Sequence, residues 1–186
     1  MSGENDWTVR PQQRLTFDAF CETHEPVWRG LVRAHLHDRA LVDQVTGAAK
    51  DALWHRWALA LRESAPAAYA WRILKEQLAA PAHQGPWGGH PPRTVVPDWV
   101  AALHGAGVEV GVDLAAPEGR AALYRAVLRL SDRQYDVVVL EHHVGVDTAT
   151  IAAYLDIAAA NVRTTSNQAI GKLRRLLGAP GQETRE

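Results

Sequence analysis

The sequence predicts an all-α protein of two small helical lobes joined by a Pro/Gly-rich linker. Two observations carry this. Apolar residues recur at three- and four-residue spacing on both sides of the chain's middle, and five of the ten prolines, with three glycines, crowd into residues 80–98. Pro81, Pro86, Pro91, Pro92 and Pro97 each lack an amide donor and restrict the preceding residue, so no packed helix runs through them. The expected organisation is a flexible start at 1–14, a helical domain at 15–79, a linker at 80–116, a second helical domain at 117–178 and a tail at 179–186.

Thr16 is the expected N-cap of the first helix, with Leu15 and Phe20 at staple positions. That helix carries Phe20, Val27, Trp28, Leu31 and Val32 to about Leu36, bent by Pro26. Asp38 then caps a second helix whose stripe is Leu41, Val45, Ala48, Ala52, Leu53, Trp57 and Leu61. Pro66 opens a third, with Tyr69, Ile73 and Leu78 facing inward. After the linker, Trp99, Val100 and Leu103 fit a short helix, and 108–112 (VEVGV) fits a brief strand or extended chain. Ala121, Leu123, Val127, Leu128 and Leu130 mark a further helix, and Ser131 caps one with Val137, Val138 and Leu140.

The composition limits the function classes. The 186 residues hold 20 Lys+Arg against 21 Asp+Glu and are 47% hydrophobic, which excludes a disordered acidic segment or a basic coat protein. Any polyanion binding is therefore local. One cysteine, Cys21, precludes an intrachain disulfide and a thiolate zinc site, in keeping with a reducing interior. No apolar run reaches 18 residues and the start MSGENDWTVR has no signal-peptide core, so a soluble cytoplasmic protein without membrane contact is expected.

Residues 148–177 read as short helix, tight turn and longer helix, the helix-turn-helix pattern. Ile151, Ala152 and Leu155 pack the first helix, Ile157 fills the turn, and Val162, Ala169 and Leu173 hold the second against it. From Ala160 to Leu177 there are Arg163, Lys172, Arg174 and Arg175 and no acid, in a chain of net charge -1. Such a local cationic face suits a DNA reader. Asn161, Arg163, Thr164, Thr165, Asn167 and Gln168 occupy the first turns, the part of a recognition helix that meets base edges. Lys172, Arg174 and Arg175 lie farther along, where phosphate contact is expected. The plain alternative is an amphipathic helix that ends a bundle.

From Leu130 onward the chain resembles region 4 of bacterial sigma factors, nearest to the extracytoplasmic-function (ECF) group of the sigma-70 family. The resemblance rests on Leu130, Arg133-Gln134, Val137 to Leu140, Gly145, Ile151-Ala152, Leu155, Ile157, Val162, Arg163, Ala169 and Leu173. The first lobe resembles region 2 more faintly, through Phe20, Pro26, Leu31, Asp38, Asp43 and 68–73 (AYAWRI). The resemblance implies a dissociable RNA polymerase subunit that docks on the β′ coiled coil and the β flap, reads promoter −35 DNA, and is held by an anti-sigma partner. It implies polymerase contacts at Asp38, Asp43, Thr46 and Lys50.

The chain also departs from the family pattern. The docking stretch DQVTG retains the Asp but has Thr46 and Gly47 where the family carries Gln-Glu, and residues 15–78 balance eight acids against eight bases. Asp156 replaces the usual turn Gly, Ala158 the N-cap Ser, and Thr165 and Ile170 stand where Arg is common. Two other readings follow: a degenerate sigma-fold module that binds another regulator, and a stand-alone DNA-binding regulator without polymerase.

No nucleophile with a base, paired carboxylates or Gly-rich phosphate loop emerges, so neither an enzyme, a cofactor nor a small-molecule substrate is expected. The nine histidines lack metal-ligand spacing; His142-His143, His35 and His37 are expected at the surface. Of the seven tryptophans, Trp54, Trp57 and Trp71 cluster in the first lobe and are expected in the core, with stacking on DNA bases as the alternative, and Trp87 and Trp99 are expected to pack down the linker or meet a partner.

Overall fold

A computed structural model of the chain describes residues 11–36, 38–80, 103, 113 and 116–178. Among these the secondary structure is helical throughout, in agreement with the predicted class. The helices are α1 (Pro11–His35), α2 (Arg39–His55), α3 (Trp57–Ala60), α4 (Pro66–Leu78), α5 (Pro117–Leu128), α6 (Asp132–Val138), α7 (Thr148–Leu155) and α8 (Ala159–Leu176). A π-helical segment, Val139–Val144, extends α6 and ends at Gly145, whose φ of 77° is the left-handed conformation that glycine adopts without strain.

The first helix starts earlier than the expected cap. Pro11 begins α1, the helix formers Gln12, Gln13 and Arg14 carry it forward, and Thr16 lies within it, donating its hydroxyl to the Gln13 carbonyl. Leu15 therefore points to solvent, with 68% exposure, and forms no staple. Pro26 sits inside α1 as expected. Asp38 caps α2 by accepting from the Ala40 amide at 2.7 Å. The buried stripe of α2 is Val42, Val45, Thr46, Ala49 and Leu53, with Leu41 at its edge. Arg56 leaves the helical region at φ −110°, ψ 11°, so the chain turns into α3; Trp57 stays buried and Leu61 ends half-exposed. In α4, opened by Pro66, the inward face is Ala70, Trp71, Ile73, Leu74 and Leu78.

On α5 the inward face is Leu123, Ala126 and Val127, continued by Leu130, which leaves Ala121 and Leu128 outside. Ser131 caps α6 in a full capping box: its hydroxyl accepts from the Gln134 amide, and the Gln134 carboxamide accepts from the Ser131 amide. Within 80–116, the strand expected at 108–112 and Trp99 and Val100 lie outside the described residues, as do residues 1–10, His37 and the tail from 179. Leu103 is described, and it is fully buried.

One apolar cluster takes residues from both halves, from Phe17 to Leu177. Along the seam, Gly30 of α1 lies so close to Val144 that a Cβ there would meet a valine methyl at 2.8 Å. Trp71 of α4 and Tyr154 of α7 pack with ring centroids 5.1 Å apart, and His35 meets the Tyr135 ring edge-on at 5.0 Å. His35 is thus interior, its Nδ1 bonded to the Leu31 carbonyl, and not the surface histidine the sequence predicts. The tryptophans divide: Trp28, Trp57 and Trp71 are core, while Trp54 is half-buried beside Phe17 and under the Arg14 guanidinium. The Lys75 ammonium and Asp136 carboxylate complete the seam at 2.6 Å. Cys21 is buried, which pushes its thiol up to about 11.

Candidate nucleic-acid interface

The helix-turn-helix is built from local rules. Asp147 caps α7, accepting from the Ala149 and Thr150 amides at 2.9 and 3.0 Å and from the Thr150 hydroxyl at 2.6 Å. These bonds, led by the Thr150 hydroxyl, hold its carboxyl below the usual range. The helix ends at Asp156 in the left-handed region, φ 50° and ψ 54°, where the family pattern has glycine. Ile157 donates its amide to the Ala152 carbonyl, and Ala158 starts α8 with no side-chain cap, as its methyl requires.

The apolar side of the motif is Ile151 and Tyr154 on α7 with Val162, Ala169, Ile170 and Leu173 on α8. Ala152, Leu155 and Ile157 are half-buried at its margin. The opposite side of α8 is open. Asn161, Arg163, Thr164, Asn167, Gln168, Arg174 and Arg175 are exposed, with Thr165 and Lys172 partly so. Among the described residues Arg163 and Arg175 carry no ion pair. The Lys172 ammonium donates to the Arg129 carbonyl, which ties the cation to the end of α5. The predicted DNA-facing residues thus share one broad, acid-free face.

Two residues of this region escape the sequence reading. Ser166 lies on the inward side of α8, 7% exposed, and donates its hydroxyl to Glu141 at 2.5 Å. Tyr154 is 2% exposed and reaches His24 of α1 with its hydroxyl. Its position three residues after Ile151 was the available signal. The turn itself borders a groove of about 610 Å³ whose far wall is Ser64, Ala65, Pro66 and Ala67.

The residues expected to touch polymerase are not gathered into one open surface. Asp38 is exposed but engaged in capping. Asp43 pairs with Arg29, whose guanidinium holds the Asp43 carboxyl below its ordinary range. Lys50 pairs with Glu25 at 2.8 Å, which raises the ammonium's pKa. Thr46 is corrected outright: it is 1% exposed on the inward stripe of α2, so it has no surface to offer a partner.

Among the described residues no group of three His, Cys, Asp or Glu is placed to hold a metal, and no helix is long and apolar enough to cross a membrane. No family model matches the chain. No curated protein matches it either. Among solved structures, the chain is similar to the structure of CnrH in complex with the cytosolic domain of CnrY, with 19% identity over 90% of each chain and a TM-score of 0.48.

Proposed function

We propose that this chain is a sigma-factor-like transcription regulator that reads promoter −35 DNA with α8 and associates with bacterial RNA polymerase. The observation that carries the reading is the division of α8 into two sides. Val162, Ala169 and Leu173 are buried in the apolar interior, and Asn161, Arg163, Thr164 and Gln168 are left to solvent. A recognition helix works in this way: amide and guanidinium groups in its first turns meet base edges, and cations farther on meet phosphate. The role is binding and not catalysis, and it requires no cofactor. An anti-sigma protein is the regulatory partner that the family resemblance supplies, and the cytoplasm is where such a regulator works.

The test combines the purified protein with bacterial core polymerase. Co-elution on a sizing column and new transcript starts from genomic DNA are expected, and the absence of both removes the sigma reading. Arg163→Ala is expected to abolish the new starts while leaving the melting temperature unchanged.

A second reading has its own support in α2, where Thr46 is buried and Asp43 and Lys50 are occupied by Arg29 and Glu25. On that reading the fold serves as an interaction module for another regulator. A stable protein complex, with no DNA binding even at low salt, selects it.

A further inference from the structure

Gly171 lies in the interior of α8, five residues before its end, where glycine destabilises a helix relative to alanine. Other glycines have a local reason. Gly30 leaves room for Val144, and Gly145 and Gly178 have positive φ. Gly171 has neither: its backbone is ordinary helix, and a Cβ built on it meets nothing within 4 Å. Nothing in the fold requires glycine there.

Its surroundings point to a ligand. Gly171 lines a shallow groove of about 490 Å³ together with Gln134, Gln168, Lys172 and Arg175. Two carboxamides and two cations meet there without an acid. Lys172 is held at the groove by the Arg129 carbonyl, and Arg175 has no ion pair among the described residues. Gly47 of α2 is equally open, but Asp43 and Asp51 stand one turn away on either side and repel a phosphate. The spacing along α8 is equally specific. Eight residues separate Arg163 from Gly171, about 12 Å at 1.5 Å per residue, which matches the width of the major groove. With the first turns of α8 on base edges, Gly171 arrives at the rim, where a phosphate strand runs.

We infer that Gly171 is the point of closest approach between α8 and a phosphate strand of duplex DNA, and that Gln134, at the start of α6, contacts the same strand. The inference rests on the proposed DNA-reading role. It adds a rim site, built by two helices, to the base-reading face.

The experiment titrates a fluorescent mixed-sequence duplex with the full chain at low salt and follows anisotropy. Gly171→Leu favours the helix and its Cβ meets nothing within 4 Å, so its melting temperature is expected to equal or exceed that of the unaltered protein. Gln134→Glu keeps the capping-box acceptor while bringing a carboxylate to the groove. Gln134→Glu is expected to weaken DNA binding about tenfold, the equivalent of one lost hydrogen bond to a charged group, and Gly171→Leu to weaken it by a similar factor by holding the strand away from the helix. For Gln134→Glu the salt dependence is expected to fall by about one unit of slope. Undiminished binding by a folded Gly171→Leu, alongside loss of binding by Arg163→Ala, overturns the rim site and leaves DNA reading in place. Failure of the unaltered protein to bind overturns both.

Discussion

The Tyr154 hydroxyl stands 2.6 Å from Nδ1 of His24, joining the first helix of the helix-turn-helix to α1 across 130 residues of chain. Burial lowers the His24 pKa and raises that of Tyr154, so at neutral pH both groups are uncharged and share one hydrogen bond. Phe20 packs on one side of the ring and Trp28 stacks beyond it.

A pH dependence follows. Burial holds the folded-state pKa of His24 below the ordinary histidine range, so the unfolded chain takes up the proton first as the solution is acidified. The stability that His24 contributes is present above that value and is lost as pH falls through it. Urea unfolding between about pH 7 and pH 5 is expected to show a falling midpoint, and His24→Phe is expected to flatten the slope. Tyr154→Phe, at neutral pH, is expected to cost about 1–2 kcal/mol, because the imidazole nitrogen loses its hydrogen-bond partner. An unchanged slope in His24→Phe sinks this account.

The Lys75–Asp136 pair offers a second prediction. Asp136 is 5% exposed, and burial raises its carboxyl pKa despite the lysine beside it. Lys75→Met leaves that carboxylate without its counter-ion. Lys75 retains 31% side-chain exposure, so the expected loss at neutral pH is about 3 kcal/mol, the lower end for a broken buried pair. A folded pKa above the unfolded one disfavours the fold as pH rises through it. The deficit of Lys75→Met is therefore expected to shrink on acidification toward the ordinary carboxylate range. Lys75→Met with Asp136→Leu is expected to recover most of the loss in denaturant unfolding; a double variant no better than the single one contradicts the pairing.

Gly30 and Val144 give a steric test. A Cβ at Gly30 meets the two Val144 methyls at 2.8 and 2.9 Å, and valine has little rotamer freedom with which to yield. Gly30→Ala is expected to cost about 1–3 kcal/mol despite alanine's better helix propensity, and adding Val144→Ala is expected to restore stability. Thermal melts of the two variants decide the matter.

The turn of the helix-turn-helix can be improved. Asp156 adopts φ 50°, which glycine holds with less strain, and Ala158 leaves the start of α8 uncapped. Asp156→Gly is expected to stabilise by about 0.5 kcal/mol. Ala158→Ser is expected to add about 1 kcal/mol. Each kcal/mol corresponds to about 2–4 °C in melting temperature for a chain of this size. A lower melting temperature for Ala158→Ser refutes the cap argument.

Rules that act over a few residues were legible in the chain. Asp38, Pro66 and Ser131 mark helix starts by cap or ring chemistry that needs no tertiary partner, and all three stand where expected. The alternation of apolar and polar side chains along α8 likewise separated Val162, Ala169 and Leu173 from Arg163 and Gln168. Where a choice depended on distant partners, the pattern was insufficient. Thr16 is a good cap residue, but the helix formers preceding it propagate α1 through it. Periodicity on α2 could not anticipate the turn at Arg56, so Leu61, expected inward, is exposed, whereas the outward placement of Thr46 came from the family resemblance and not from the helix's own pattern. Tyr154, Ser166 and His35 take their roles from contacts with His24, Glu141 and Tyr135, which no local pattern encodes.

Phe17 near one end of the described chain and Leu177 near the other belong to a common apolar interior. A peptide cleaved between the halves is then not a pair of independent folding units but two complementary pieces, each lacking the surface that the other covers. Co-expressed fragments are expected to reassemble through that shared interior, and single fragments to be proteolysed.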